Sequence, residues 1–131
     1  MRYGRPFYGR PKYGNKKVEM DGILFDSKKE AVYYLHLKTR LTKGEISDLR
    51  MQVPYELIPA IYETQTVHLK TKDKTVEKCV QKAVHYLADF VYTDIATGKE
   101  TVVDTKGYKT KDYILKKKMM RALLGITITE V

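Results

Sequence analysis

From Asp48 to Leu57 the chain alternates polar and apolar residues: Leu49, Met51, Val53, Tyr55 and Leu57 fall on one parity, Asp48, Arg50, Gln52, Pro54 and Glu56 on the other. A period of two predicts a half-buried strand, and Pro54, which has no N–H for a ladder bond, marks an edge or a bulge. Two later runs, Val84 to Tyr92 and Thr101 to Lys106, flank turn material at Asp94, Gly98 and Lys99 and predict a hairpin. Upstream the period changes. Glu30, Tyr34, Leu37 and Leu41 recur at helical spacing, which predicts a core-facing stripe on a helix that opens at an N-cap Ser27, runs to about Thr42 and stops at Gly44. A second helix is expected from Lys111 to Leu124, with Leu115, Met119, Ala122 and Leu123 buried and Gly125 as its stop, followed by a strand over 126–131. Residues 59–78 read as an irregular or hairpin-like excursion with no assigned role.

The hairpin carries the most informative chemistry. If Thr93 faces Glu100 across the turn, Asp89 faces Asp104, and their Cβ atoms lie roughly 5 Å apart. Two carboxylates at that separation repel by about 3 kcal/mol at an effective dielectric near 20, so a fold that pairs them needs a cation or a shared proton. Parity places Asp89 on a face with Leu87 and Val91, and Asp104 and Lys106 on a face with Val102. Acids that interrupt apolar rows cost several kcal/mol unless compensated. Glu30 falls three residues after Ser27, the capping-box spacing, and also heads the core-facing stripe, from which its carboxylate could reach the same point.

Helix-borne Glu30, then Asp89 in one strand, Asp104-Thr105-Lys106 in the next, a basic helix and a last strand resemble the PD-(D/E)xK nuclease superfamily. The stretches from Asp21 to Glu30 and Gly44 to Gln52, with Ala88-Asp89-Phe90 and Asp104 to Gly107, are similar to small bacteriophage and prophage proteins of that superfamily. Ala88 stands where the superfamily's name has proline, and Asp104 takes the D/E position. The resemblance implies an α/β fold, a restriction-endonuclease-like α-β-β-β-α-β core with a mixed sheet flanked by helices, over residues 18–131. It implies a DNA endonuclease that uses Mg²⁺ (or Mn²⁺). Asp89, Asp104 and the Thr105 carbonyl would hold the ion, with Glu30 as a further ligand and Lys106 orienting the attacking water. Gln52 is an auxiliary contact. Action on branched DNA would require two sites, and hence a homodimer. Two other classes fit the same residues: a basic nucleic-acid-binding module that cleaves nothing, and an acidic pair that holds a structural ion.

Charge adds a partner. The 25 Lys+Arg against 16 Asp+Glu give a formal charge of +9, which suits DNA because neutralised phosphates release counterions. Residues 1–17 hold Arg2, Arg5, Arg10, Lys12, Lys16 and Lys17 and no acid, interleaved with Tyr3, Phe7, Tyr8 and Tyr13 and broken by glycine and proline. Such a segment is expected to be a flexible basic arm suited to phosphates and unpaired bases. Lys111, Lys116, Lys117, Lys118 and Arg121 could flank the same DNA path. No run of 18 apolar residues and no signal-type leader is evident, so a cytoplasmic protein without a membrane span is expected. One cysteine, Cys79, and three scattered histidines offer neither an internal disulfide nor a zinc spacing.

Overall fold

The structure is a computed structural model and describes residues 16–131, so the arm residues Arg2, Arg5, Arg10 and Lys12 lie outside the described residues. The chain runs β1 (Val18–Met20), β2 (Ile23–Phe25), α1 (Lys28–Thr42), β3 (Ile46–Ile58), β4 (Ile61–His68), β5 (Asp73–Gln81), β6 (Val84–Asp94), β7 (Glu100–Asp104), α2 (Lys111–Leu124) and β8 (Thr129–Glu130). Asp21 and Gly22 both take positive φ between paired Met20 and Ile23, the backbone that a two-residue hairpin of this twist demands. Ser27 Oγ accepts the Glu30 N–H at 3.2 Å and fixes the start of α1.

The main sheet has the order β3-β6-β7-β8. Its first two pairings are antiparallel and the last is parallel, reached through α2 as a crossover. The expected α/β class, a mixed sheet with two helices, is therefore what the chain forms. Helices cover both faces: Ala31, Tyr34 and Leu37 of α1 pack with Phe25, Ile46, Phe90, Tyr92 and Val103, and Tyr113 and Met120 of α2 pack with Leu57, Tyr86, Ala88, Val91, Val102 and Ile128.

One feature of β3 and β6 departs from simple alternation. Leu49 and Met51 lie against the α1 side while Val53 and Tyr55 lie against the α2 side, although all four share a parity. Ala88 and Phe90 divide in the same way. The pairing does not slip, since Met51 faces Phe90 and Val53 faces Ala88. The ribbon instead turns over at Gln52, which takes φ 52°, a left-handed conformation costing a non-glycine residue about 1–2 kcal/mol.

Four expectations are corrected. Leu87 is exposed, so Asp89 has an apolar neighbour on only one side, the buried Val91; the turn at Gln52 breaks the row. β7 ends at Asp104, and Lys106 is exposed in the following loop instead of continuing the Val102 face. Helix α2 buries Tyr113 and Met120; of the expected row Met119 is partly buried, Ala122 is exposed, and Leu115 and Leu123 are each 56% exposed. The helix is rotated by the Tyr113 hydroxyl, which donates to Glu130 Oε2 at 2.7 Å, and by its ring, 6.4 Å from that of Tyr86. Strand β8 is also shorter than expected. Replacing Met120 with Ala should therefore cost about 2–5 kcal/mol, whereas Leu123→Ala should stay within about 0.5 kcal/mol, as measured by urea unfolding; equal losses would favour a buried stripe through Leu115 and Leu123.

Candidate functional site

The β6–β7 register fixes the site. Thr93 faces Glu100 and Phe90 faces Val103, so the next pair along the ladder is Asp89 with Asp104, as the turn chemistry required. Thr105, one residue past the strand, donates both its N–H (2.9 Å) and its hydroxyl (2.8 Å) to Asp89 Oδ2. That double donation holds the Asp89 carboxylate in one orientation and ties the end of β7 to the middle of β6.

Asp104 is buried. The Tyr86 hydroxyl donates to its Oδ2 at 2.6 Å, while Oδ1 is closed to solvent and has no hydrogen-bond partner. Burial raises the Asp104 pKa above the ordinary range and the Asp89 charge adds to it, against the lowering effects of the Tyr86 donor and the nearby Lys106 ammonium and amide. The amide makes no bond of good geometry to Oδ1. A buried acceptor without a donor costs about 1–3 kcal/mol, more when charged, and a proton or a cation on that oxygen would relieve it.

Glu30, from the first turn of α1, closes the acidic group. Gln52 Nε2 donates to Glu30 Oε1 at 3.0 Å, so the carboxyl serves the strand and not the Ser27 amide that a reciprocal capping box would use. Burial, then Asp89 and Asp26, push the Glu30 pKa up to about 7, against the lowering Gln52 bond. The strained backbone at Gln52 thus carries the amide that orients Glu30. Residues in sparsely populated backbone regions cluster at functional sites.

These residues open on a cleft of about 830 Å³ between the N-terminus of α1 and the loop from Thr105 to Thr110. Glu30, Asp89, Thr105 and Lys106 line it, with Asp26 and the lysines Lys16, Lys28 and Lys29 around them. Asp104 sits behind this wall. Lys106 Nζ lies 5.3 Å from the centroid of the Tyr113 ring, within cation–π range. The free N–H groups at the start of a helix favour anions, so the cleft offers cationic rims around an acidic floor. Lys28, Lys29, Tyr86 and Asp26 do not stand out in the sequence as site residues; Asp26-Ser27-Lys28-Lys29 reads as a helix start, and nothing in the spacing of Tyr86 points at Asp104.

The α2 cations stand elsewhere. Lys116 pairs with Asp112 (3.4 Å) and Lys117 with Glu130 (3.1 Å); Lys111, Lys118 and Arg121 are exposed, and none of the five lines the cleft. Glu130 also takes Lys109 at 3.1 Å, and with the Tyr113 donor these hold its pKa down at about 2. The cations of α2 are thus in part structural. Lys17 is exposed at the foot of β1.

The donor set suits a hard divalent ion: carboxylate oxygens, a peptide carbonyl, and one buried carboxylate oxygen without a partner. Among the described residues no group of three or more His, Cys, Asp or Glu side chains is gathered tightly enough to form a cage. Mg²⁺ is usually held by one or two carboxylates with water completing its shell, so a cage of three side chains is not required for it. No helix is long and apolar enough to cross a membrane among the described residues.

The family described as "Protein of unknown function (DUF1064)" matches residues 10–125, and the chain belongs to it. No curated protein and no solved structure matches the chain.

The raised Glu30 pKa has a definite sign for stability. The folded state holds this proton more tightly than the unfolded chain, so the stability it contributes is fully present below about pH 4.5 and is lost as pH rises through about 7. Glu30→Gln should be more stable than the wild type at pH 8, by about 1–3 kcal/mol after allowance for solvent reaching the cleft, with the gap closing toward pH 4 in urea unfolding. A gap independent of pH would show that Glu30 titrates normally.

Proposed function

We propose that this chain is a metal-dependent DNA endonuclease of the PD-(D/E)xK superfamily, phage- or prophage-derived, with the restriction-endonuclease-like core that the superfamily resemblance implies. The observation that carries the reading is the Phe90–Val103 register, whose next step opposes Asp89 to Asp104, with Lys106 two residues on, at a cleft rimmed by lysines. The element order α1, β3, β6, β7, α2, β8, with β4 and β5 inserted, supports the same core.

Asp89, Asp104 and the Thr105 carbonyl would hold Mg²⁺ or Mn²⁺, and the ion when bound supplies a water of lowered pKa and charge stabilisation at the phosphate. The protein's own groups do the positioning. Thr105 fixes Asp89 through Oδ2 and leaves its other oxygen available. Tyr86 fixes Asp104 from behind, and Gln52 fixes Glu30. Lys106 can exchange its contact with the Tyr113 ring for the attacking water or a phosphate oxygen, where its charge offsets what develops in the transition state. Lys16, Lys28 and Lys29, with the start of α1, receive the flanking phosphates.

A second reading, a DNA-binding module that does not cleave, is favoured by two observations: Asp104 is closed off from the cleft, and Lys106 lies over an aromatic ring. The two readings part on chemistry. With Mg²⁺ or Mn²⁺ and a panel of linear, single-stranded, flap and four-way-junction DNA, the nuclease cuts at least one substrate. Asp89→Ala, Asp104→Ala and Lys106→Ala should each reduce cutting by at least about a hundredfold, on the scale of removing one electrostatic group from a transition state. Asp89→Ala should also bind DNA as tightly as the wild type or tighter, because a repulsive charge is gone. A wild type that binds DNA but cuts none of these substrates would leave the binding module standing, and full cutting by the three variants would place the active site elsewhere.

A further inference from the structure

Strands β4 and β5 form a two-stranded sheet that pairs with no other strand among the described residues. Every residue of β4 is exposed, and in β5 only Val76 is partly covered. A two-stranded ribbon is at best marginally stable in water, so an arm of this kind is most fully ordered against a partner. Its register sorts its charges by face. Glu63 opposes Lys78, Gln65 opposes Val76 and Val67 opposes Lys74; one step further Leu69 opposes Lys72, where the Leu69 N–H meets the Lys72 carbonyl at 2.9 Å. That face holds Lys72, Lys74 and Lys78 against the single acid Glu63. The opposite face holds Thr64 with Glu77 and His68 with Asp73, and the His68–Asp73 pair is joined at 2.8 Å. Lys70 stands in the turn.

We propose that the β4–β5 ribbon is a duplex-DNA arm, with the lysine face of Lys72, Lys74 and Lys78 and the tip Lys70 lying on phosphates beside the DNA that occupies the cleft. The inference rests on the reading of that cleft as a DNA site and extends it to a second contact. Placement supports it. The arm continues from β3 and returns into β6, so it leaves the sheet at the end where β7 stops at Asp104. From Asp89 to Val84 is about 17 Å of strand, and the ribbon adds about 27 Å, at roughly 3.4 Å per residue. A turn of B-DNA spans about 34–36 Å, so the lysines lie within two turns of a duplex whose scissile phosphate is at Asp89. Lys72 and Lys74 are about 7 Å apart along the strand, close to two nucleotide rises of one DNA strand. A second copy of the chain suits the face less well, because like faces would set lysine against lysine.

The test compares wild-type protein with Lys70→Ala/Lys72→Ala/Lys74→Ala/Lys78→Ala, in chelator so that no strand is cut, by fluorescence anisotropy on a 10-bp and a 30-bp duplex across salt concentrations. All four side chains are exposed, so the variant should melt like the wild type. On the 30-bp duplex it should bind more weakly, with a log–log salt slope shallower by up to about 0.9 for each phosphate that the arm no longer neutralises; on the 10-bp duplex, too short to reach the arm, the two proteins should agree. Equal affinity and slope on the long duplex would overturn the arm while leaving the cleft reading intact. A wild type that binds neither duplex, either in chelator or with Ca²⁺ in place of Mg²⁺, would overturn both. Conversion of a wild-type dimer to monomer in the variant, seen by sedimentation, would reassign the ribbon to self-association.

Discussion

The antiparallel pairing of β6 with β7 is the contact on which the rest depends. It opposes two carboxylates that would separate if the strands were independent, and it does so because Tyr92, Val91 and Phe90 on one strand and Val102 and Val103 on the other are buried between two helices. Apolar burial at about 25 cal/mol per Å² over these side chains outweighs a repulsion of about 3 kcal/mol. The repulsion is then managed locally. Thr105 gives two hydrogen bonds to Asp89, Tyr86 gives one to Asp104, and the remaining strain collects on a single oxygen, Asp104 Oδ1. A protein selected for stability alone would gain by removing one of these acids.

The turning-over of β3 and β6 has the same origin. Were both strands regular, Ala88 and Phe90 would lie on one face, and one of them would leave the core that it now fills. Rotation at Gln52 puts Phe90 under α1 and Ala88 under α2, and it leaves Gln52 beside Glu30. The left-handed backbone thus joins a packing requirement to the orientation of an acid. Glycine would accept that φ at lower cost, but it would remove the amide that holds Glu30 Oε1.

Sequence reasoning succeeds where a local rule has one answer. The hairpin register follows from turn residues at Asp94 and Gly98, the α1 stripe from Glu30, Tyr34 and Leu37, and the helix stop from Gly125 at φ 69°. It fails where tertiary contacts override parity. Counting Leu115, Ala122 and Leu123 selects one stripe of α2, yet the helix is set by the Tyr113–Glu130 bond and by the Tyr86 ring, neither of which leaves a periodic trace. D-x-K reads as continuous alternation and puts Lys106 on the strand, whereas the ladder ends at Asp104. At the β1–β2 hairpin Asp21-Gly22 carries a turn signal, but the flanking strands of three residues are too short to show a period.

Charge in this chain is arranged by contact more than by amount. On α2 Lys116 pairs with Asp112, while Lys117, together with Lys109 before the helix, holds Glu130 and so seats β8 against the helix. At the cleft the order is inverted: the buried Glu30 and the half-buried Asp89 stand on the floor with Asp104 behind them, and exposed lysines occupy the rim. A polyanion approaching such a surface meets cations first, at long range, and reaches the carboxylates only once its phosphates are held. The floor would repel that phosphate unless a cation stood between them, so under the proposed nuclease reading the same arrangement would both draw DNA to the cleft and require a divalent ion for chemistry within it.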